Sequence, residues 1–275
     1  MKSKILSLTV AILAATSLYA KDNNLVMATT TSTDDTGFLD ALYPVYKAKT
    51  GVDLKWTAVG TGKALEMGKN CDVDVLFVHS PKLEKEFVKD GYGVDRKPVM
   101  YNDYIIIGDK SLVEKFKGKN LKEAFEMIQK EKIPFFSRGD KSGTHNKEID
   151  IWKKSITNVP EKETWYKQTG QGMLATINVA AEQKGVTLTD RGTFIKYEAQ
   201  NNGNPPLVLL NEGDNNLKNF YSVINVNPQK CPKADEENAK EFAKWITSDE
   251  GQKFINNFKL MNKQLFTADA KDRKE

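Results

Sequence analysis

The sequence predicts an α/β protein of two lobes, and three observations lead there. Short apolar strands alternate with amphipathic helices from Asn24 to Gly108, the rhythm of a parallel sheet with helical crossovers. The chain has 275 residues, more than one compact core usually takes. The C-terminal part offers one strand and two helices, too little to bury a core alone, so it is expected to return to the first lobe.

Taken in order, residues 1–20 read as a secretory signal peptide: Lys2 and Lys4, an apolar run from Ile5 to Leu18, then Ala20 before Lys21. The run is too short to span a bilayer comfortably, and no Cys stands at the cleavage point, so a free periplasmic protein of a Gram-negative cell is expected. Removing the leader takes Lys2 and Lys4 from 41 basic residues, leaving 39 against 37 acidic and a net charge of +2. That near-neutral balance argues against a nucleic-acid partner.

Strands are expected at 24–29, 52–59, 73–80 and 98–108, with helices at Phe38–Lys49, Ala64–Lys69 and Pro81–Lys89. Gly37, Gly51, Gly60 and Gly91 mark the joints. The lysine-rich stretch Asp109–Asn120 reads as a surface crossing. A second unit follows, with a helix at Leu121–Lys132, a strand at Ile133–Phe136, helices opening near His145, Met173 and Arg191, and a strand at Pro206–Leu210. The polar connector at 211–216 leads to a strand at 221–228 and to helices at Ala234–Thr247 and Asp249–Phe258. This divides the chain into lobe 1, residues 21–108 plus 212–275, and lobe 2, residues 109–211.

Three loops stand at the C-terminal ends of strands, where open α/β sheets bind ligands. The first runs from Ala28 through Thr29, Thr30, Thr31, Ser32 and Thr33 into a helix. Neutral hydroxyls and free amides at a helix start grip a small anion without cofactor or metal. The second contains Gly60-Thr61-Gly62-Lys63. It is not a P-loop, since Thr57 and Ala64 occupy the positions that need Gly and Ser or Thr; anion donors or a plain βα turn are the open readings, and Thr61 is the candidate. The third holds the charge: Arg138 follows Phe135 and Phe136, and Ser142-Gly143-Thr144 opens the next helix. A guanidinium fork suits two oxygens of one anion, while a surface ion pair with Asp140 is the competing reading.

Catalysis finds little support. His79 and His145 are the only histidines; Ser142 and His145 lack an orienting third group, and His79 reads as a structural residue at a strand end. Two distant His and two distant Cys make no metal cluster. An oxyanion-binding protein, a phosphoester hydrolase and a surface adhesin remain the three classes to separate.

The segments ATTTSTDDTGFLDALYP, VGTGKALEMGKNCDVDVLFVHSP, GYGVDRKPVMYNDY and FSRGDKSGTH, with DRGTF at 190–194, resemble the corresponding blocks of TupA-type tungstate-binding proteins, the periplasmic components of tungstate ABC importers. The resemblance implies a type II periplasmic binding fold, two α/β lobes joined by two hinge strands. It implies tungstate as ligand, with molybdate or phosphate as alternatives, and no cofactor, no free metal ion and no enzymatic activity. The partners it implies are a cognate ABC permease with its ATPase, and the protein is expected to be a monomer. Thr29, Thr30, Thr31, Ser32 and Arg138 carry over as binding groups; Thr61, Ser142, Gly143 and Thr144 join them by loop position, and Arg191 is a further candidate set against a salt bridge inside its lobe. Tungstate is fully deprotonated at neutral pH and suits a site of donors, whereas phosphate brings a proton that wants a carboxylate, so the direction of Asp34, Asp35 and Asp140 matters. In the resembled fold the strands flanked by Cys71 and Cys231 run antiparallel, which makes these two the expected disulfide in an oxidising compartment.

Overall fold

The computed structural model describes residues 23–271, so the expected leader at 1–20 lies outside the described residues. Strand β1 (Asn24–Thr30) leads through the single turn α1 (Thr31–Asp34) into α2 (Phe38–Thr50), then β2 (Asp53–Val59), α3 (Thr61–Lys69), β3 (Val75–Val78), α4 (Pro81–Lys89) and the 17-residue β4 (Gly93–Asp109). Helix α2 is bounded by Gly37 and Gly51, at φ 72° and 74°, a backbone region that Gly enters without steric cost. Next come α5 (Val113–Phe116), α6 (Leu121–Glu131), β5 (Phe135–Ser137), α7 (Gly143–Ile156), β6 (Tyr166–Gln168), α8 (Met173–Glu182), β7 (Val186–Asp190), α9 (Arg191–Gln200) and β8 (Leu207–Asn211). The chain closes with β9 (Lys218–Val226), α10 (Glu236–Ile246), α11 (Asp249–Asn257) and the short strands β10 (Lys259–Leu260), β11 (Lys263–Gln264) and β12 (Thr267–Ala268).

The main sheet runs β2-β1-β3-β9-β4-β7-β5-β6, with β8 and β12 also on β4. Strand β4 serves both halves. Its Gly93–Asp103 stretch pairs with β9, and Tyr104–Gly108 pairs with β7. The β1–β2, β1–β3 and β5–β6 pairs are parallel, as helical crossovers require.

Burial on both faces explains the near-continuous apolar runs. In β3, Val75 and Phe77 join one cluster with Phe38, Tyr46 and Phe242, while Leu76 and Val78 join another with Phe87 and Ile224 on the opposite face, the period of two expected of a strand. In the second half Phe135 packs with Phe125 and Trp152, and Phe136 with Ile105 and Ile177.

The structure adds to the sequence reading at several places. Helix α3 starts at Thr61 rather than Ala64. Strands β6 and β7 were not expected: β6 is three residues long with two exposed, and β7 is five residues, all buried, including two Thr and an Asp. The stretch after Asp109 coils into short helical turns that bury Phe116. Cys71 and Cys231 are joined by a disulfide, beside the antiparallel pair β3–β9.

Candidate functional site

Three strand ends converge where the two halves of the sheet meet. Thr30 ends β1 and caps α1, its hydroxyl accepting from Thr33 N–H at 3.3 Å. Ser32 Oγ lies 3.2 Å from both Thr30 Oγ1 and His79 Nε2. Thr31 is exposed at the same turn. Thr29 takes no part, since its hydroxyl is buried in the sheet and donates to the Phe77 carbonyl at 2.8 Å.

From the second half, Ser142 caps α7 by accepting from His145 N–H at 3.3 Å. This brings Gly143 against the first half: a Cβ there would stand 3.3 Å from His79 Cε1 and 3.9 Å from Thr61 Oγ1. Thr144 is buried and hydrogen-bonded to the Tyr104 hydroxyl on β4, and Tyr221 on β9 bonds Thr33 in the matching way. Each half thus has one tyrosine of a sheet strand bonded to a threonine of its own helix start.

Arg138 follows β5 and donates from Nη2 to Asp140 at 2.5 Å, the ion pair weighed at the outset. Its Nε is nonetheless buried without a partner, and so are Thr61 Oγ1 and His145 Nε2. Buried donors left unpaired are costly unless something fills the space between them. The acceptors nearby are occupied. Asp140 receives Arg138 and, through Oδ1, Ser142 N–H at 3.1 Å; burial opposes its charge, but these bonds hold its carboxyl below the ordinary value. His145 Nδ1 accepts from Lys141 N–H at 2.9 Å, which puts the ring proton on Nε2. Asp34 accepts from Trp56 Nε1 at 2.6 Å, and Asp35 is exposed.

Two buried side chains support the site, of which the sequence reading had His79 as a structural residue and did not include Glu148. His79, buried at the end of β3 and placed there as a structural residue, reaches Thr30 through Nε2 at 3.0 Å and Asn219 through Nδ1 at 2.9 Å; its position at a strand end was the available clue. Glu148 on α7 is 2 % exposed and accepts from Tyr166 Oη at 2.6 Å, Trp152 Nε1 at 3.1 Å and the Ser137 hydroxyl, just before Arg138. Burial pushes its carboxyl up to about 7.

Arg191 stands apart from this cluster. Its guanidinium grips both oxygens of Asp103 at 2.6 and 2.5 Å and Glu212 at 2.5 Å, joining the middle of β4 to the segment after β8. Those bonds hold the guanidinium firmly charged. Among the described residues no group of three or more His, Cys, Asp or Glu is placed to hold a metal ion, and no helix is long and apolar enough to cross a membrane.

The chain matches the family model described as PBP superfamily domain over residues 16–250. It is 63 % identical over 244 residues to the tungstate-binding protein TupA of Campylobacter jejuni, covering 89 % of this chain and 90 % of that protein. The solved tungstate-binding protein TupA from Desulfovibrio alaskensis superposes with a TM-score of 0.86 at 55 % identity, covering 90 % of this chain and 99 % of the other. The structure described as the tungstate ABC transporter from Geobacter sulfurreducens gives a TM-score of 0.76 at 43 % identity, over 86 % of this chain and 98 % of that one.

Proposed function

The chain belongs to the TupA family of tungstate-binding proteins within the PBP superfamily, and on that premise we propose that it captures tungstate between the two halves of its sheet and delivers it to an ABC importer. The carrying observation is the inventory at the junction: Thr61 Oγ1 and Arg138 Nε are buried donors without partners, while the carboxylates beside them are already engaged. A fully deprotonated dianion fits such a set, whereas a monohydrogen phosphate brings a proton that wants a carboxylate acceptor. Of the three carboxylates whose direction bears on phosphate, Asp34 and Asp140 serve Trp56 and the Arg138 loop, and Asp35 is exposed.

Ser32 and Thr31 supply hydroxyls from one side, with Thr61; Arg138, Ser142, Gly143 and Thr144 face them from the α7 side. Thr30 organises this turn through His79, and Thr29 and Arg191 act in the scaffold. The expected lobes are 21–108 with 212–275 and 109–211; the chain returns to the first half after β8, while Tyr104–Gly108 of β4, ahead of that boundary, already pair with β7 of the second half. The protein works in the periplasm as a monomer, with a permease and its ATPase as partners, and binds without turnover. Tungstate as the ligand is supported by the names of the relatives.

Calorimetric titration with tungstate, molybdate, sulfate and phosphate tests this reading. One-to-one binding of tungstate with little or no response to sulfate and phosphate is expected. No heat and no thermal shift with any of the four, or a preference for phosphate, overturns it.

A further inference from the structure

Helix α9 carries apolar side chains on two faces. Phe194 and Tyr197, three residues apart, join Ile105, Phe136 and Ile177 in the second half. Ile195 turns the other way and is 4 % exposed, in one cluster with Phe38, Leu265 and Phe266 of the first half. The face around Ile195 continues at helical spacing. One turn before it, Gly192 lies so close that a Cβ would stand 3.3 Å from Thr36 Cγ2 and from Leu265 Cδ2. One turn after it, Glu198 pairs with Lys263 at 2.7 Å.

We propose that this face of α9 is an affinity-determining latch, a contact that exists only when the two halves are closed and that holds them so. It involves neither Thr61 nor Arg138, so it acts on the ligand through the open–closed equilibrium. A contact made only in the closed form adds to the apparent affinity in proportion to how far it favours that form. The glycine permits the close approach, since a Cβ at 192 would crowd Asp190 Oδ1 at 3.2 Å as well as Thr36 and Leu265 at 3.3 Å. The inference rests on the tungstate-binding reading above.

The test uses the full chain with Ile195→Ala and, separately, Lys263→Gln, a change at an exposed ion pair that leaves the apolar clusters intact. Tungstate affinity is measured by calorimetry and release by stopped flow. Ile195→Ala is expected to weaken binding about tenfold, from the apolar area that closure no longer buries, and Lys263→Gln about two- to threefold. In both, release accelerates while association stays near wild type, and molybdate loses by the same factor. Should affinity stay within about twofold of wild type in both variants while Ile195→Ala lowers the thermal midpoint, α9 is a fixed part of the fold and the latch is refuted. A wild-type protein that binds no tungstate refutes the functional reading itself, before any substitution is made.

Discussion

Thr30 Oγ1 lies 3.0 Å from Nε2 of His79. The other ring nitrogen faces the Asn219 side-chain oxygen at 2.9 Å, and the amide nitrogen of Asn219 donates to Asn102 Oδ1 at 2.8 Å. The imidazole therefore carries its proton on Nδ1 and accepts at Nε2. The hydroxyl that organises the turn beside the proposed oxyanion site is fixed in this way from β9 and from β4, the strand that serves both halves.

His79 should stay neutral far below the ordinary histidine range. Burial lowers its pKa to about 4, so the stability this neutral ring contributes is complete above about 6.5 and is lost as pH falls from there toward 4. Nitrogen-detected NMR of the imidazole is expected to show the Nδ1–H form unchanged at pH 5.5. A ring already charged at pH 6 would contradict the assignment.

Arg138→Gln should weaken tungstate binding by more than about tenfold with the fold intact, because a charge-assisted contact is lost. Circular dichroism and calorimetry on the same sample check both parts. Unchanged affinity would move the charge partner elsewhere.

Thr61→Val should separate stability from affinity. Its hydroxyl is buried and unpaired, and a methyl of similar size removes that cost, so the ligand-free protein is expected to gain up to about 1 kcal/mol. Tungstate binding should fall about ten- to hundredfold, since one hydrogen bond to a charged ligand is worth roughly 1.5–3 kcal/mol. Denaturant melts and titrations that moved in the same direction would exclude Thr61 as a ligand group.

Glu148 gives a pH signature of opposite sign to that of His79. Its folded-state carboxyl is raised to about 7 by burial, so the fold holds a proton that the unfolded chain releases above about 4.5. Stability from this group is complete below that point and falls as pH rises toward 7, in total by on the order of 3 kcal/mol. The wild type minus Glu148→Gln difference in unfolding free energy should therefore be larger at pH 4.5 than at pH 8. A difference that grows with pH would refute the assignment.

The sequence made the strand ends legible because their surroundings are local: an apolar run, then small hydroxyl or glycine residues, then a helical period. Thr61, Arg138, Ser142 and Thr144 were singled out on that ground, and the structure brings their loops to one junction. What stayed illegible depends on neighbours far along the chain. The Asn219 that orients His79 lies 140 positions away, and the Asp103 that binds Arg191 lies 88 away. Thr29 looks like its neighbours in sequence, but strand alternation turns its hydroxyl into the sheet. Strand β7 is only five residues long and runs directly into the helix at Arg191, and its VTLT alternation went unused although all five residues are buried.

Strand β9 fills the slot between β3 and β4, yet it is made of residues 218–226, near the end of the chain. Until those residues arrive, the early strands have an open edge and no complete sheet to join. Pairing across such separations makes folding slow. The order in which the strands are laid down thus leaves β3 and β4 without their shared neighbour until the chain has passed Val226.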